Sequence, residues 1–320
     1  MGAVFLWVLA GVSAVWQSET GFAQEPAGVA LSQIRLRDVF IFPEAATRTY
    51  YLVTSVQRPP HSGTGVSVFT SKDLELWHGP FSVFDLRSDD WANGKIWAPE
   101  MHFYNGKYYL FTTFNASNAA ASIKRGTVIL AANSPMGPFR EFNNRSHTPT
   151  NELALDGTFW VEDGVPYMVY CHEWVQIKDG TINMLRLKPD LSDADGPPKV
   201  LFKGSDAPWT GRRETYVTDG PYLYQSKSGE LMMIWSSFIG RNYATGVAVS
   251  ASGRLEGPWV QQRQPLFDKD GGHGMIFRKF DGTLMLLLHQ PNQAPNERAR
   301  LFELEDTGDS LHIKSSAQTK

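Results

Sequence analysis

The chain has a single cysteine, Cys171, so no disulfide can close within it and no cluster of thiolates can hold a metal. Cys171 lies in an apolar run and reads as a small core residue rather than a nucleophile. No run of lysine and arginine is present. The 30 basic and 33 acidic residues leave a net charge of -3, and nothing tracks a phosphate backbone, so nucleic acid is not an expected partner. Low-complexity stretches are missing as well, which sets disordered and fibrous classes aside. Beyond residue 16 no segment sustains helical apolar spacing over two turns, so helical bundles and alternating α/β layers are excluded. The one long apolar run, residues 3–16, is too short to span a bilayer comfortably, and no basic residue precedes it. It has the length of a signal-peptide core and is followed by small residues around Gly21-Phe22-Ala23. The expectation is a signal peptide over residues 1–23, a domain over 24–320, a secreted or periplasmic location, and no membrane association after cleavage.

What the sequence does contain is a pattern repeated five times. Each copy has a polar residue, a short aromatic-rich strand, a glycine-containing turn and an apolar strand. The copies begin RDVFIFPEAATRTYYLVTS at Arg37, APEMHFYNGKYYLFTTF at Ala98, LDGTFWVEDGVPYMVYCHE at Leu155, TDGPYLYQSKSGELMMIWSSF at Thr218 and GHGMIFRKFDGTLMLLLHQPN at Gly272. The turns Asn105-Gly106, Asp163-Gly164, Ser228-Gly229 and Asp281-Gly282 carry residues that tolerate positive φ, as two-residue hairpins require. Three further strand-like runs end in Gly-Pro-aromatic steps at Gly79, Gly137 and Gly257. The spacing suits four strands plus loops per repeat. Each such sheet must bury its faces against its neighbours, and closing the array radially also protects the strand edges. The fold predicted is all-β, a single-domain five-bladed β-propeller, with Gln24–Gln33 returning as a strand that completes the last blade.

In a propeller the first strand of every blade lines the central channel. The residues opening those strands, Asp38, Glu100, Asp156, Asp219 and His273, are then expected around one mouth. Crowded acids raise some carboxylate pKa values and leave others ionised. Glycoside hydrolysis needs that combination: one protonated carboxyl for the leaving oxygen and one carboxylate opposite.

Arg37-Asp38, Trp97-Ala98-Pro99-Glu100, Leu155-Asp156-Gly157-Thr158-Phe159, Asp219-Gly220-Pro221 and Gly272-His273-Gly274, in that order, resemble glycoside hydrolase family 43 across Ile34 to about Glu305. The resemblance implies an inverting enzyme acting on an oligo- or polysaccharide, an α-L-arabinofuranosidase or β-xylosidase. It implies Asp38 as the general base and Asp156 as the residue that orients and tunes the acid. The base and acid of such an enzyme stand about 6.5–9.5 Å apart, with room for water. The family places a glutamic acid before Gly-Pro in blade four, where this chain has Asp219, one methylene shorter. Glu173, after the second strand of blade three, and Glu214, upstream on the same loop as Asp219, stand beside Asp219 as candidates for the acid.

Glu100 is read as a residue that binds substrate hydroxyls or holds another carboxylate, with a structural salt bridge as the other reading. Trp97, Phe159 and Trp174 are candidates for stacking on sugar rings. The resemblance also implies His273 as the contact for a structural Ca2+ or Na+ in the channel, with no cofactor required for the chemistry. The loops 119–125, 204–215 and 290–298 are expected to shape the pocket. Two other readings remain beside this one. A retaining relative of the sucrose- and fructan-cleaving group would open blade one with an Asn-Asp-Pro-Asn-like motif, whereas this chain reads Arg37-Asp38-Val39-Phe40. A non-catalytic carbohydrate-binding or interaction propeller is motivated by the aspartate at 219.

Overall fold

A computed structural model describes residues 28–55, 64–87, 90–92, 94–116 and 124–314. The signal-peptide segment and residues 119–123 of the first pocket loop lie outside the described residues. The described chain forms five antiparallel sheets, each built from strands consecutive in sequence. The innermost strands are Phe40–Glu44, Ile96–Tyr104, Ala154–Glu162, Asp219–Gln225 and Gly272–Arg278. Each packs on the next, and Gly272–Arg278 packs on Phe40–Glu44, which closes the ring. This is the five-bladed propeller that the repeats predict.

The second strand of each blade has both faces covered. Lys107–Asn115 is buried at its last seven residues without alternation, and Thr49–Ser55 is buried throughout. A sheet surface clad on both sides needs apolar residues on both, so these strands read as continuous apolar runs. The buried clusters are shared between neighbouring blades. One joins Leu52 and Val68 of blade one to Leu110 of blade two and Met275 of blade five, and another joins Val169 of blade three to Trp235 of blade four.

The turn chemistry holds in part. Asn105 and Gly106 (φ 47° and 79°) and Asp163 and Gly164 (φ 50° and 77°) are both left-handed, as a two-residue hairpin with the twist of its strands requires. Ser228-Gly229 and Asp281-Gly282 instead sit in wider turns between the pairs Gln225–Leu231 and Arg278–Leu284, where only the glycine has positive φ. The Gly-Pro steps lead into or lie within the outer strands. Gly137-Pro138-Phe139 docks blade two on blade one, where the Phe139 N–H donates to the Val83 carbonyl (2.9 Å).

The N-terminal strand departs from expectation. Val29–Ala30 pairs with Leu76 and Trp77 at the outer edge of blade one, not with blade five. Blade five is completed by its own strand Leu311–Ile313, which leaves no open position there. The link from the N-terminal segment to blade five is a bridge between Arg35 and Arg298, supported by a hydrogen bond from Arg298 Nε to the Ser32 carbonyl (3.1 Å).

One left-handed residue marks the start of every inner strand: Asp38 (φ 51°), Ala98 (43°), Asp156 (57°), Gly220 (50°) and His273 (47°). In the last four blades the pairing register shifts at this point. Bulges of this kind bend a strand and re-aim a side chain, at a cost in backbone energy for any residue other than glycine. They also correct the register read from the repeats. The position equivalent to Asp38 and Asp156 is Ala98 in blade two and Gly220 in blade four, so Glu100 lies two residues past it and Asp219 one before it. A Cβ on Gly220 would come within 2.7 Å of the His273 ring, which excludes a side chain there.

Blade four offers a direct test of this packing. Gly246 lies against the face of Trp209, which is buried 5.1 Å from the Trp235 ring, and a Cβ at 246 would fall 2.4 Å from Trp209 Cζ2. Gly246→Ala is expected to destabilise the fold by about 1–3 kcal/mol through overpacking. In urea unfolding the midpoint should fall with the slope unchanged; an unaltered midpoint would show that Trp209 moves freely.

Candidate active site

One mouth of the channel opens into a cavity of about 360 Å³. Its walls include Asp38, Asp156, Asp219, His273, Glu173, Trp97 and Trp174. Seven of the residues singled out in the sequence, from all five blades, are therefore brought together.

Asp38 is held from blade five. Its N–H donates to His289 Nδ1 (3.2 Å), and its Oδ1 lies 3.2 Å from His273 Nδ1 and 3.8 Å from Arg37 Nε. Burial works to raise its pKa, but His273, His289 and Arg37 together outweigh burial and hold it below the ordinary carboxylate value. His289 is itself pushed down to about 4, chiefly by burial. It is thus neutral near pH 7, which suits an Nδ1 that accepts the Asp38 N–H. Arg37 is the permanent cation beside Asp38, and it is bound in turn to the buried Glu297 (3.6 Å).

Asp156 and Asp219 are shifted the other way. The Asp156 N–H donates to Thr113 Oγ1 (2.9 Å), and its Oδ2 accepts from the Gly220 N–H (3.1 Å) while standing 3.6 Å from His273 Nδ1. Burial first, then the charge of Asp38, pushes the Asp156 carboxyl well above its ordinary value. Asp219 Oδ2 accepts a hydrogen bond from the Tyr243 hydroxyl (2.9 Å). Burial, then Asp156, pushes Asp219 up to about 7, against the lowering influence of His273 and Tyr243. The cavity thus contains one carboxyl that stays ionised, Asp38, and two whose hold on a proton is raised, Asp156 and Asp219, the latter to near neutrality.

Glu173 lines the same cavity, but it is paired with Arg125 Nη1. Arg125 is anchored further through Nε to Asn115 Oδ1 (2.7 Å), and its guanidinium covers the Trp97 ring at 4.5 Å. Burial raises Glu173 and Arg125 opposes that rise. One face of Trp97 is therefore occupied by a cation. Trp174 begins a single helical turn, Trp174–Ile177, that the sequence pattern did not reveal; Glu173 is its N-cap residue.

Three sequence candidates lie elsewhere. Glu100 is buried beside the channel with its Oε2 3.0 Å from His102 Nε2, and it does not line the cavity. Its partner is an imidazole, and the two-residue offset past the bulge accounts for its place away from the cavity. Phe159 packs edge-on against His102 (5.7 Å) and Tyr104 (5.2 Å) between blades two and three, so its ring serves the core. Glu214 is exposed on its loop and away from the cavity. His273 Nδ1 faces Asp38 and Asp156, and among the described residues no group of three His, Cys, Asp or Glu side chains is arranged to hold a metal ion. The ring nitrogen stands 3.2 Å from Asp38 Oδ1 and 3.6 Å from Asp156 Oδ2, and the backbone N–H of His273 donates to Ser236 Oγ (2.8 Å).

Tyr243, His289, Arg125, Asn292 and Phe238 escaped the sequence reading. For His289 a signal existed. It is the last residue but one of the second strand of blade five, as Glu173 follows that of blade three, and such strands return the chain to the mouth. For Tyr243, in the third strand of its blade, no comparable signal exists.

The raised Asp219 has a consequence for stability. Its unfolded pKa is near 3.8 and its folded value about 7, so the folded state binds the extra proton between these limits. Stability linked to this group is complete below about pH 3.8 and is lost as pH rises through 7. Asp219→Asn should therefore stabilise the fold at pH 8 by up to about 4 kcal/mol and have little effect at pH 4. Thermal melts at both pH values check this, and equal effects at the two would refute the assignment.

Comparison with known proteins agrees with this geometry. A family model described as Glycosyl hydrolases family 43 matches residues 31–313. The crystal structure of an endo-arabinase from Bacteroides thetaiotaomicron VPI-5482 superposes with a TM-score of 0.80 at 40% identity, covering 88% of this chain and 98% of that one. Alpha-L-arabinofuranosidase 43 of Humicola insolens is 25% identical over 242 residues, 67% of this chain and 48% of that protein. Extracellular exo-alpha-(1->5)-L-arabinofuranosidase of Streptomyces avermitilis is 24% identical over 229 residues, 64% and 47%. The chain spans about half the length of these two curated relatives. On the match across its five blades, the chain belongs to glycosyl hydrolases family 43.

Proposed function

We propose that this chain hydrolyses glycosidic bonds by single displacement with inversion, with α-L-arabinofuranosyl linkages of plant-type polysaccharides as its first substrate class and β-xylosides as its second. The observation that carries the proposal is the split between Asp38, held ionised, and Asp219, held protonated to about pH 7, in one cavity. Asp38 takes a proton from a water as that water's oxygen attacks the anomeric carbon. Asp219 gives its proton to the leaving oxygen as the carbon–oxygen bond breaks. Asp156, whose Oδ2 accepts from the Gly220 N–H next to Asp219, holds the backbone that presents the acid.

The choice of sugar is supported by the printed names of the relatives and by a cavity size within the range of small-molecule sites. Trp174 and Trp97 are aromatic residues of the cavity wall assigned to contact with a sugar ring. Glu173, already paired with Arg125, is assigned to substrate positioning and not to proton donation. No cofactor enters this reading. Export from the cell is part of it, supported by the apolar segment 3–16 and by the extracellular name of the Streptomyces relative.

Two measurements test the reading. Asp38→Asn should lower kcat for release of arabinose or xylose by about 10²–10⁴-fold while glycan binding is kept. No release by the wild-type protein from arabinan, arabinoxylan or xylo-oligosaccharides, with binding retained, would overturn it in favour of a non-catalytic binding propeller. In the wild type, kcat/KM should fall above about pH 7, as Asp219 loses its proton, and fall again at acid pH as Asp38 gains one. A basic limb that begins only well above pH 8 would remove Asp219 from the role.

A further inference from the structure

The aspartate at 219 is shorter than the glutamic acid expected in its place, and a shorter side chain has fewer ways to hold its proton toward a substrate. The structure supplies a second group at this point. Tyr243, from the strand Asn242–Ser250, is almost fully buried yet reaches the cavity with its hydroxyl, 2.9 Å from Asp219 Oδ2. Its ring is fixed on three sides. It stacks on His289 (centroids 5.7 Å apart, planes at 22°), packs on Phe238 (5.2 Å), and leaves so little space at Gly272 that a Cβ there would lie 2.5 Å from Tyr243 Cε1. The backbone is tied as well, since the Gly271 N–H donates to the Tyr243 carbonyl (3.0 Å). A hydroxyl on a ring this constrained does not follow the carboxyl; the carboxyl is oriented by it.

We infer that Tyr243 is the positioning residue of the acid: by donating to Asp219 Oδ2 it confines the transferable proton to Oδ1 and steadies the carboxylate left after transfer. This rests on Asp219 being the acid. A protonated carboxyl has one hydroxyl oxygen and one carbonyl oxygen, and the oxygen already accepting the phenol is the one that acts as carbonyl. After the proton leaves Oδ1 for the glycosidic oxygen, the same hydrogen bond is made to a charged acceptor and is stronger. Tyr243 therefore favours the transferred state over the starting one, without touching the sugar. The phenol itself stays protonated, because burial and then the charge of Asp219 push it well above its ordinary value.

The test uses the sugar that the wild-type protein releases, presented with a 2,4-dinitrophenyl leaving group, which departs without a proton, and as an oligosaccharide, which needs one. Tyr243→Phe keeps the ring packing and removes only the hydroxyl. The expected result is a loss of about 10-fold or more in kcat on the oligosaccharide with KM little changed, and a loss of no more than about 3-fold on the dinitrophenyl glycoside. Asp219→Asn should show the same split, larger. A Tyr243→Phe variant that loses both substrates equally, while Asp219→Asn shows the split, would overturn the inference and leave Asp219 as the acid. Equal losses on both substrates in Asp219→Asn would remove the reading of Asp219 and the inference together. The dinitrophenyl rate also reports whether each variant is folded.

Discussion

The contact between the first strand of blade five and the first strand of blade one is the constraint on which the rest depends. Without it the chain would be a row of sheets whose two end members each had an uncovered apolar face. With it the ring closes, and residues 251 positions apart come within hydrogen-bonding distance, as His289 and Asp38 do. The site is a property of that closure. Asp38 comes from the first blade and the imidazoles that hold it from the last, so a chain that failed to close would keep its strands and lose its chemistry.

Closure also creates an electrostatic difficulty that the site then uses. Three aspartates share one poorly solvated mouth, and they cannot all be ionised at once. The fixed charge of Arg37 and the contact with His273 decide that Asp38 bears the charge. Burial with Asp38 and Asp156 nearby keeps the proton on Asp219 to about pH 7. His273 stands between Asp38 and Asp156 and couples blades one, three and five. Asp156 and Asp219 hold their charge less easily in the fold than they would in water, in line with the tendency of active sites to lower stability for function.

The left-handed residue at each inner strand explains why the repeats were legible and their register was not. The recurrence of polar openings, turns and apolar runs is written in the residue order, and it identifies five blades. The bulge adds a residue that pattern counting cannot see. Glu100 and Asp219 thus read as equivalents of Asp38 and Asp156, although Ala98 and Gly220 hold the equivalent backbone positions. For Asp219 the misreading did no harm, since the residue before Gly220 still reaches the cavity. For Glu100 it placed a buried partner of His102 at the mouth.

The sequence by itself determined the blade count, part of the turn chemistry and the presence of acids at the channel, because hydrophobic periodicity and the φ preferences of Asn, Asp and Gly act over a few residues. Only the tertiary structure decided which acid is ionised, that Arg125 occupies Glu173 and one face of Trp97, and that Tyr243 stands against Asp219. It also sent the N-terminal strand to blade one, because blade five already has its own outer strand. These outcomes depend on distances between residues far apart in the chain and on burial by several blades at once. Charge, proton affinity and orientation are set by that surrounding, and no local stretch of residues contains it.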